Sequence, residues 1–339
     1  MSPPLPVRDG VGPTRLRVPL SGPWPTIAQF VVERFAHLDP QDLYRRVDDG
    51  EIVGDDGRLI DRSTPLGEHR CVWYYRELPA EEPIPVTEEI LYRDDDLVVV
   101  DKPHFLSTTP GGRYLRESAL VRLRIRLDNP DLTPIHRLDR ATAGLVMFSA
   151  RPQTRGAYQS LFAQRRVDKV YQAVSAEPAD WNRQSPELAG RPVPVVYRNR
   201  IESRRGQLRA IVDGPNAREA ETTIDVLASG TAASGRRVVQ TRLHPHTGRM
   251  HQLRVHLAAV GAPILGDRLY PTLLPEAPDD YELPLQLLAC ELAFADPLTG
   301  APHRFVTRRS LSEAPLPETG QRLSPGAEPR SPGHCRRRA

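Results

Sequence analysis

Short strand-like runs rich in apolar residues, separated by few amphipathic helices, constrain this chain most. Leu97-Val98-Val99-Val100 has the length and composition of a buried strand, and Leu145-Val146-Met147-Phe148, Val170 to Val174, Val238 to Leu243 and Leu288 to Phe294 read as further strands. Between them, Leu120, Leu123 and Leu127 predict a helix that ends before Pro130, and Ala157, Leu161 and Phe162 predict another. Met250, Leu253, Leu257 and Val260 share one face of a third helix, expected to open at Thr247-Gly248. Many strands with fewer helices predict an α+β fold, a mixed and mainly antiparallel sheet with flanking helices.

The chain divides by composition. Residues 1–24 carry Pro3, Pro4, Pro6, Pro13, Pro19 and Pro23 and are expected to form a flexible leader. Residues 25–85 read as a small N-terminal domain. Thr26 is placed to cap a helix through Ile27, Phe30, Val31 and Phe35, and Asp56-Gly57 marks a tight turn before Val72-Trp73-Tyr74-Tyr75. The main domain is expected over residues 86–311. Residues 312–339 turn to proline, glycine and arginine, as a disordered basic tail would.

Composition excludes several classes. No run approaches the roughly 18 apolar residues that a membrane helix needs, and the first 22 residues lack a signal-like apolar core. A cytoplasmic location is therefore the expectation. Cys71, Cys290 and Cys335 form no pair with metal or redox spacing and read as free thiols. A net charge of +3 is too small for a polycation, but among 46 cationic residues only Lys102 and Lys169 are lysines. Arginine suits phosphate forks and base stacking, although codon bias would give the same skew.

Two segments concentrate chemistry. Between His136 and Thr142, five of seven residues are polar or charged, and they run directly into an apolar strand. Such crowding is costly in a core and ordinary in a surface loop. A protein-kinase reading fails, because Leu138 separates Arg137 from Asp139 and no glycine-rich loop or Asp-Phe-Gly accompanies it. A phosphate-binding P-loop is also missing. The second segment is His244-Pro245-His246-Thr247-Gly248-Arg249-Met250-His251-Gln252-Leu253-Arg254-Val255-His256-Leu257. Its histidines span a strand end, a turn and a helix without a carboxylate at ligand spacing, so no metal is expected. His251 and Arg254, three apart, fall on a stripe beside the apolar face.

Together these segments resemble the RluA-type pseudouridine synthase family, whose motifs are an His-Arg-Leu-Asp-x-x-Thr-Ser-Gly-Leu loop and a Thr-Gly-Arg-x-His-Gln-Ile-Arg-Val-His helix. Three further stretches match in order: Asp95 to Pro103, Val167 to Val174 with its Lys-x-Tyr-x-Ala pattern, and Gly261 to Tyr270. The resemblance spans roughly residues 88–308. Ala143, Leu253 and Met250 depart from the usual serine, isoleucine and threonine, and none removes a group that the chemistry needs. The N-terminal domain loosely resembles the ribosomal-protein-type RNA-binding module often fused to this family, although its basic residues are few, mainly Arg34, Arg45 and Arg46.

The resemblance implies an isomerase that detaches uracil from its ribose, turns the base over and rejoins it through carbon. No electrons, phosphate or second substrate enter, so no cofactor is expected. It assigns the catalytic carboxylate to Asp139, a charge partner to Arg254 and an active-site tyrosine to Tyr171. Asp139 is expected either to attack the sugar or to take the proton beside the anomeric carbon. A guanidinium close by keeps such a carboxylate ionised despite desolvation. The target base must leave its stack, and Arg137 is expected to fill the vacated space. Lys102, His136, Arg140, Arg165, Arg166, Arg249 and His251 complete the expected RNA contacts. The expected partner is ribosomal or transfer RNA, and the expected state a monomer. The rivals are a catalytically silent RNA-binding protein on the same fold and a glycosidase. The first would lack Asp139, Tyr171 or Arg254; the second would need another acid near Asp139.

Overall fold

The computed structural model describes residues 3–76, 81–112, 114–182, 184–204 and 206–316. The N-terminal unit comprises β1 (Thr14–Arg17), α1 (Ile27–Arg34), α2 (Pro40–Asp48), β2 (Val53–Gly54) and β3 (Cys71–Tyr74). The Thr26 side chain accepts from the Gln29 N–H at the start of α1, as its position predicts. Asp39 caps α2, and Pro40 takes the first helical position, where the missing N–H costs nothing. Ile27, Phe30, Val31, Val47, Ile52 and Val72 form a core separate from the rest.

The leader differs from expectation. β1 lies within it and pairs antiparallel with β3, Leu16 opposite Val72. The pairing covers the edge of β3 and lets Val18 join the small core. Farther upstream, the Gly10 carbonyl accepts from Arg124 of the main unit. Among the few basic residues of this unit, Arg45, Arg46 and Arg62 pair with Asp42, Glu51 and Asp48. The connection to the main unit is also tied down. The Glu81 carboxylate accepts from the backbone N–H groups of Leu115, Arg116 and Glu117, and Ile84 is buried in the main core.

The main unit begins with β4 (Glu89–Arg93), β5 (Leu97–Lys102), α3 (Ala119–Arg126), β6 (Thr133–Pro134), β7 (Ala143–Ser149), α4 (Pro152–Ala163) and β8 (Asp168–Ala176). A small hairpin of β9 (Glu187–Leu188) and β10 (Arg191–Pro192) precedes β11 (Val195–Glu202), β12 (Ile211–Val212), β13 (Arg218–Thr231) and β14 (Arg237–Pro245). The chain continues through α5 (Gln252–Ala259), β15 (Leu287–Ala295) and β16 (Pro302–Val306). Among the described residues, eleven strands make one sheet along the path β12-β11-β13-β14-β8-β15-β7-β5-β4, with β16 on β15 and β6 on β7.

The unbroken apolar runs of β5 and β7 follow from burial on both faces. Val98, Val100, Val146 and Phe148 pack under α3, with Leu120 and Leu123. Leu97, Val99, Leu145 and Met147 face the other way, onto Tyr158 and Leu161 of α4. A further core lies under α5, where Leu253 and Leu257 meet Ala173, Ile224 and Leu243. At the C-terminal end, residues 312–316 are held rather than loose. The Glu313 N–H donates to Gln286, and the Leu316 N–H to the Thr231 carbonyl. The rest of the expected tail, with Cys335, lies outside the described residues. No described helix is long and apolar enough to cross a membrane.

Among the described residues the named strands pair antiparallel except β7 with β15, where Ala143 faces Leu288 and Gly144 faces Ala289. Gly144 has φ +110°, and a Cβ there would lie 2.2 Å from the Ala289 carbonyl oxygen. Only glycine fits this contact, because any side chain would both strain the backbone and push β15 away. Gly144→Ala should destabilise the protein by about 3 kcal/mol or more, read as a lower urea midpoint. An unchanged midpoint would mean that the two strands separate easily.

Candidate active site

The segment between β6 and β7 is a surface loop whose underside is fixed by residues following β5. Thr108 is buried; its hydroxyl donates to the Leu138 carbonyl at 2.9 Å and accepts from the Leu138 N–H. His104 Nδ1 donates to the Ala141 carbonyl at 2.7 Å. Burial lowers the His104 pKa to about 4, so this imidazole holds the loop in its neutral form. Leu138 plugs the core beneath α3. The alternation of the motif follows: His136 and Leu138 turn inward, while Arg137 and Asp139 turn toward solvent and the site.

Two expected RNA contacts are internal. Lys102 is fully buried, and its ammonium donates to the carbonyls of Pro103 at 2.9 Å, Leu106 at 2.8 Å and Arg140 at 3.4 Å. His136 stacks on Phe162 with ring centroids 4.4 Å apart, and its Nε2 accepts from the Met147 N–H. Burial drives the His136 pKa down to about 3, which keeps the ring a neutral acceptor. Both residues shape the loop from below, Lys102 fully buried and His136 half-buried. Arg140 is already engaged: both its terminal nitrogens bind Asp279, at 2.8 and 2.5 Å, and its guanidinium lies over the Tyr114 ring.

The second motif meets the loop from the far half of the sheet. Its helix starts later than expected, at Gln252, with His251 at the cap in a left-handed conformation. Gln252 explains this start. Its Oε1 accepts from Thr247 Oγ1 and the Arg249 N–H, and its Nε2 donates to the Glu221 carbonyl, locking the turn to β13. His256, fully buried, bridges Thr222 and Asn199 at 2.9 Å each. Arg254 is 5% exposed, and its guanidinium donates to Asp267 through Nε at 2.8 Å and Nη2 at 2.6 Å. Burial works against its charge, but the bonds to Asp267, with Asp139 nearby, leave its pKa raised.

These elements converge on Asp139, whose side chain is 31% exposed. Its Oδ2 lies 3.8 Å from Arg254 Nη1 and 3.7 Å from His251 Nε2. Tyr171, on β8, packs between the cores beneath α3 and α5. Burial and the Asp139 charge both raise its pKa, so it is held as a phenol. Arg137, Arg165 and Arg166 are exposed. Arg249 is half-buried and donates through Nε to the Glu219 carbonyl at 2.9 Å.

In the second motif His246 bonds Thr223 and His251 faces Asp139, and among the described residues they form no metal-like group with His244. Among the described residues, Asp55, Asp56 and His69 have the grouping of a metal site. They lie in the N-terminal unit, where His69 bonds Asp55 at 2.8 Å.

Residue types alone did not single out Thr108, His104, Asp267 or Tyr270. Asp267 and Tyr270 fall inside the Gly261–Tyr270 stretch, which was their one signal. Thr108 and His104 act through the backbone of another segment and leave no pattern.

Lys102 gives this arrangement a pH signature. Burial lowers its pKa to about 7, against an ordinary 10.5. Between those values the unfolded chain binds the extra proton, so Lys102 makes stability rise with pH across this window. Lys102→Met should remove a slope of up to about 1 kcal/mol per pH unit between pH 7 and pH 9, measured by urea unfolding. An identical slope in both proteins would refute it.

The geometry has counterparts among known proteins. The family model for RNA pseudouridylate synthase matches residues 96–259. An RNA pseudouridine synthase of Synechocystis sp. is 30% identical over 244 residues, covering 71% of this chain and 78% of that protein. The dual-specificity RNA pseudouridine synthase RluA of Escherichia coli K12 is 36% identical over 201 residues, 59% of this chain and 82% of that protein. The structure of human RNA pseudouridylate synthase domain containing 1 superposes with a TM-score of 0.51 at 25% identity, over 68% of this chain and 86% of that one. With those matches and the two motifs folded around one carboxylate, the chain belongs to the RluA-type RNA pseudouridine synthases, isomerases that convert uridine in RNA to pseudouridine.

Proposed function

We propose that this enzyme modifies specific uridines of structured ribosomal or transfer RNA, acting as a monomer with Asp139 as its catalytic carboxylate. The observation that carries this reading is one partly exposed carboxylate set beside a buried guanidinium, with Asp139 Oδ2 3.8 Å from Arg254 Nη1. The N1–C1′ bond of the uridine breaks, a C5–C1′ bond forms, the C5 proton leaves and N1 takes up a proton. Asp139 serves this either by attacking C1′ or by taking the C2′ proton. Arg254 holds its charge, because Asp267 fixes the guanidinium from behind. Tyr171 stacks on the uracil. Its raised pKa favours stacking over a free phenolate base.

RNA is held from outside the pocket. Flipping the uridine costs a few kcal/mol, and exposed Arg137, two residues from Asp139, takes the vacated space. Arg165, Arg166 and Arg249 contact phosphates. The Escherichia coli relative is named a dual-specificity RNA pseudouridine synthase, which supports RNA as the substrate here.

A site-resolved pseudouridine map of total RNA, from cells with and without the gene, tests this directly. A site should vanish on deletion, return with the wild type and stay absent with Asp139→Asn, whose turnover should fall roughly 10³-fold or more. Restoration by Asp139→Asn would refute the catalytic assignment. Arg165→Ala and Arg166→Ala should weaken RNA binding and each lower the salt slope of log affinity by about 1. Unchanged slopes would remove them from the RNA surface.

A further inference from the structure

His251 is 11% exposed, and each of its ring nitrogens faces one group. Nε2 points at Asp139 Oδ2 from 3.7 Å, and Nδ1 lies 3.1 Å from the Tyr270 hydroxyl. Tyr270 is itself 5% exposed, and its oxygen accepts the Ala210 N–H at 2.7 Å. Ala210 belongs to the connection between β11 and β13, which also places Arg209 over the Tyr270 ring at 4.9 Å. A line of contacts thus runs from the Ala210 backbone through Tyr270 and His251 to the Asp139 carboxylate.

Both ends of the line select one tautomer. With Ala210 occupying a lone pair of the Tyr270 oxygen, the phenol proton is free to donate to His251 Nδ1. The ring proton then sits on Nε2 and faces a carboxylate. The opposite tautomer would aim an Nε2 lone pair at Asp139 and leave the buried phenol proton without an acceptor, which is costly. Burial lowers the His251 pKa, with Asp139 pulling the other way and Arg254 adding to the fall, so the ring is a neutral donor.

We propose that His251 is a positioning residue that presents its Nε2–H to the Asp139 carboxylate, with Tyr270 and the Ala210 N–H fixing that tautomer. The inference rests on the reading of Asp139 as the catalytic carboxylate. It gives His251 a role inside the pocket in place of the RNA contact expected of it. It also gives the connection between β11 and β13 a purpose at a site it does not enter.

Two substitutions separate the nitrogens. A glutamine amide reaches the position of Nε2, whereas an asparagine amide stops near Nδ1. The backbone at 251 has φ +55°, a conformation asparagine tolerates well, so His251→Asn should fold. The substrate is total RNA from cells lacking the gene, labelled with tritium at uracil C5, and release of tritium is followed with enzyme in excess. His251→Asn should lower the saturating rate constant about tenfold or more with the half-saturating enzyme concentration unchanged, and His251→Gln should stay within about threefold of the wild type. Equal losses in the two variants, or a loss confined to half-saturation, would overturn the proposal. Asp139→Asn is run in parallel: if it keeps its rate, the catalytic reading itself has failed, and this inference with it. Nitrogen-15 NMR of the wild type gives a second check that needs no variant. It should show the His251 proton on Nε2, with the preference weakened in Tyr270→Phe; a proton on Nδ1 would overturn the proposal.

Discussion

The site depends on the contact between β7 and β15. β5 and β7, with the loop that carries Asp139, form one half of the sheet, while β8, β14 and β13, with α5, form the other. Asp139 comes from the first half, and Tyr171, His251 and Arg254 come from the second. β15 lies between the halves, antiparallel to β8 and parallel to β7. Gly144 brings its backbone against Ala289 at a point where no side chain fits. The spacing between Asp139 and its partners is therefore inherited from a backbone contact five residues downstream of the carboxylate.

Charge is distributed around Asp139 by depth. The buried pair of Arg254 and Asp267 is joined by two hydrogen bonds, and Asp267 also accepts the N–H groups of Leu269 and Tyr270. A buried ion pair of this kind is stable only when its remaining hydrogen-bonding capacity is met. Asp139, by contrast, touches neither Arg254 nor His251 at hydrogen-bond distance. It lies beside the Arg254 charge with its side chain partly exposed. The neutral rings of His104 and His136 do comparable work beneath the loop, where a charged side chain would lose its hydration without a partner.

Much of the fold was legible because burial leaves a simple mark. The apolar runs of β5 and β7 cover both faces and read as strands at sight. β11 and the start of β13 did not, since they lie toward the sheet's edge and mix Arg198, Arg200, Glu219 and Glu221 with buried alternates. The leader was misjudged for a related reason. Its prolines signal loose chain, yet Thr14–Arg17 needs only the open edge of β3 to become a strand. The start of α5 was misplaced because the tertiary bonds of Gln252 to β13, rather than local propensity, decide where the turn ends.

By itself the sequence determined the fold class, the family and the residue types that gather for the chemistry, because motif order and apolar periodicity are properties of the chain alone. Tertiary structure decided how those residues divide their work. Lys102, His136 and Arg140 look like surface contacts in one dimension, but packing turned two of them inward and gave the third to Asp279, more than a hundred residues away. It also placed Asp267 behind Arg254 and Tyr270 behind His251. Burial, pairing and tautomer depend on what lies across space from a side chain, and local sequence does not contain that neighbour.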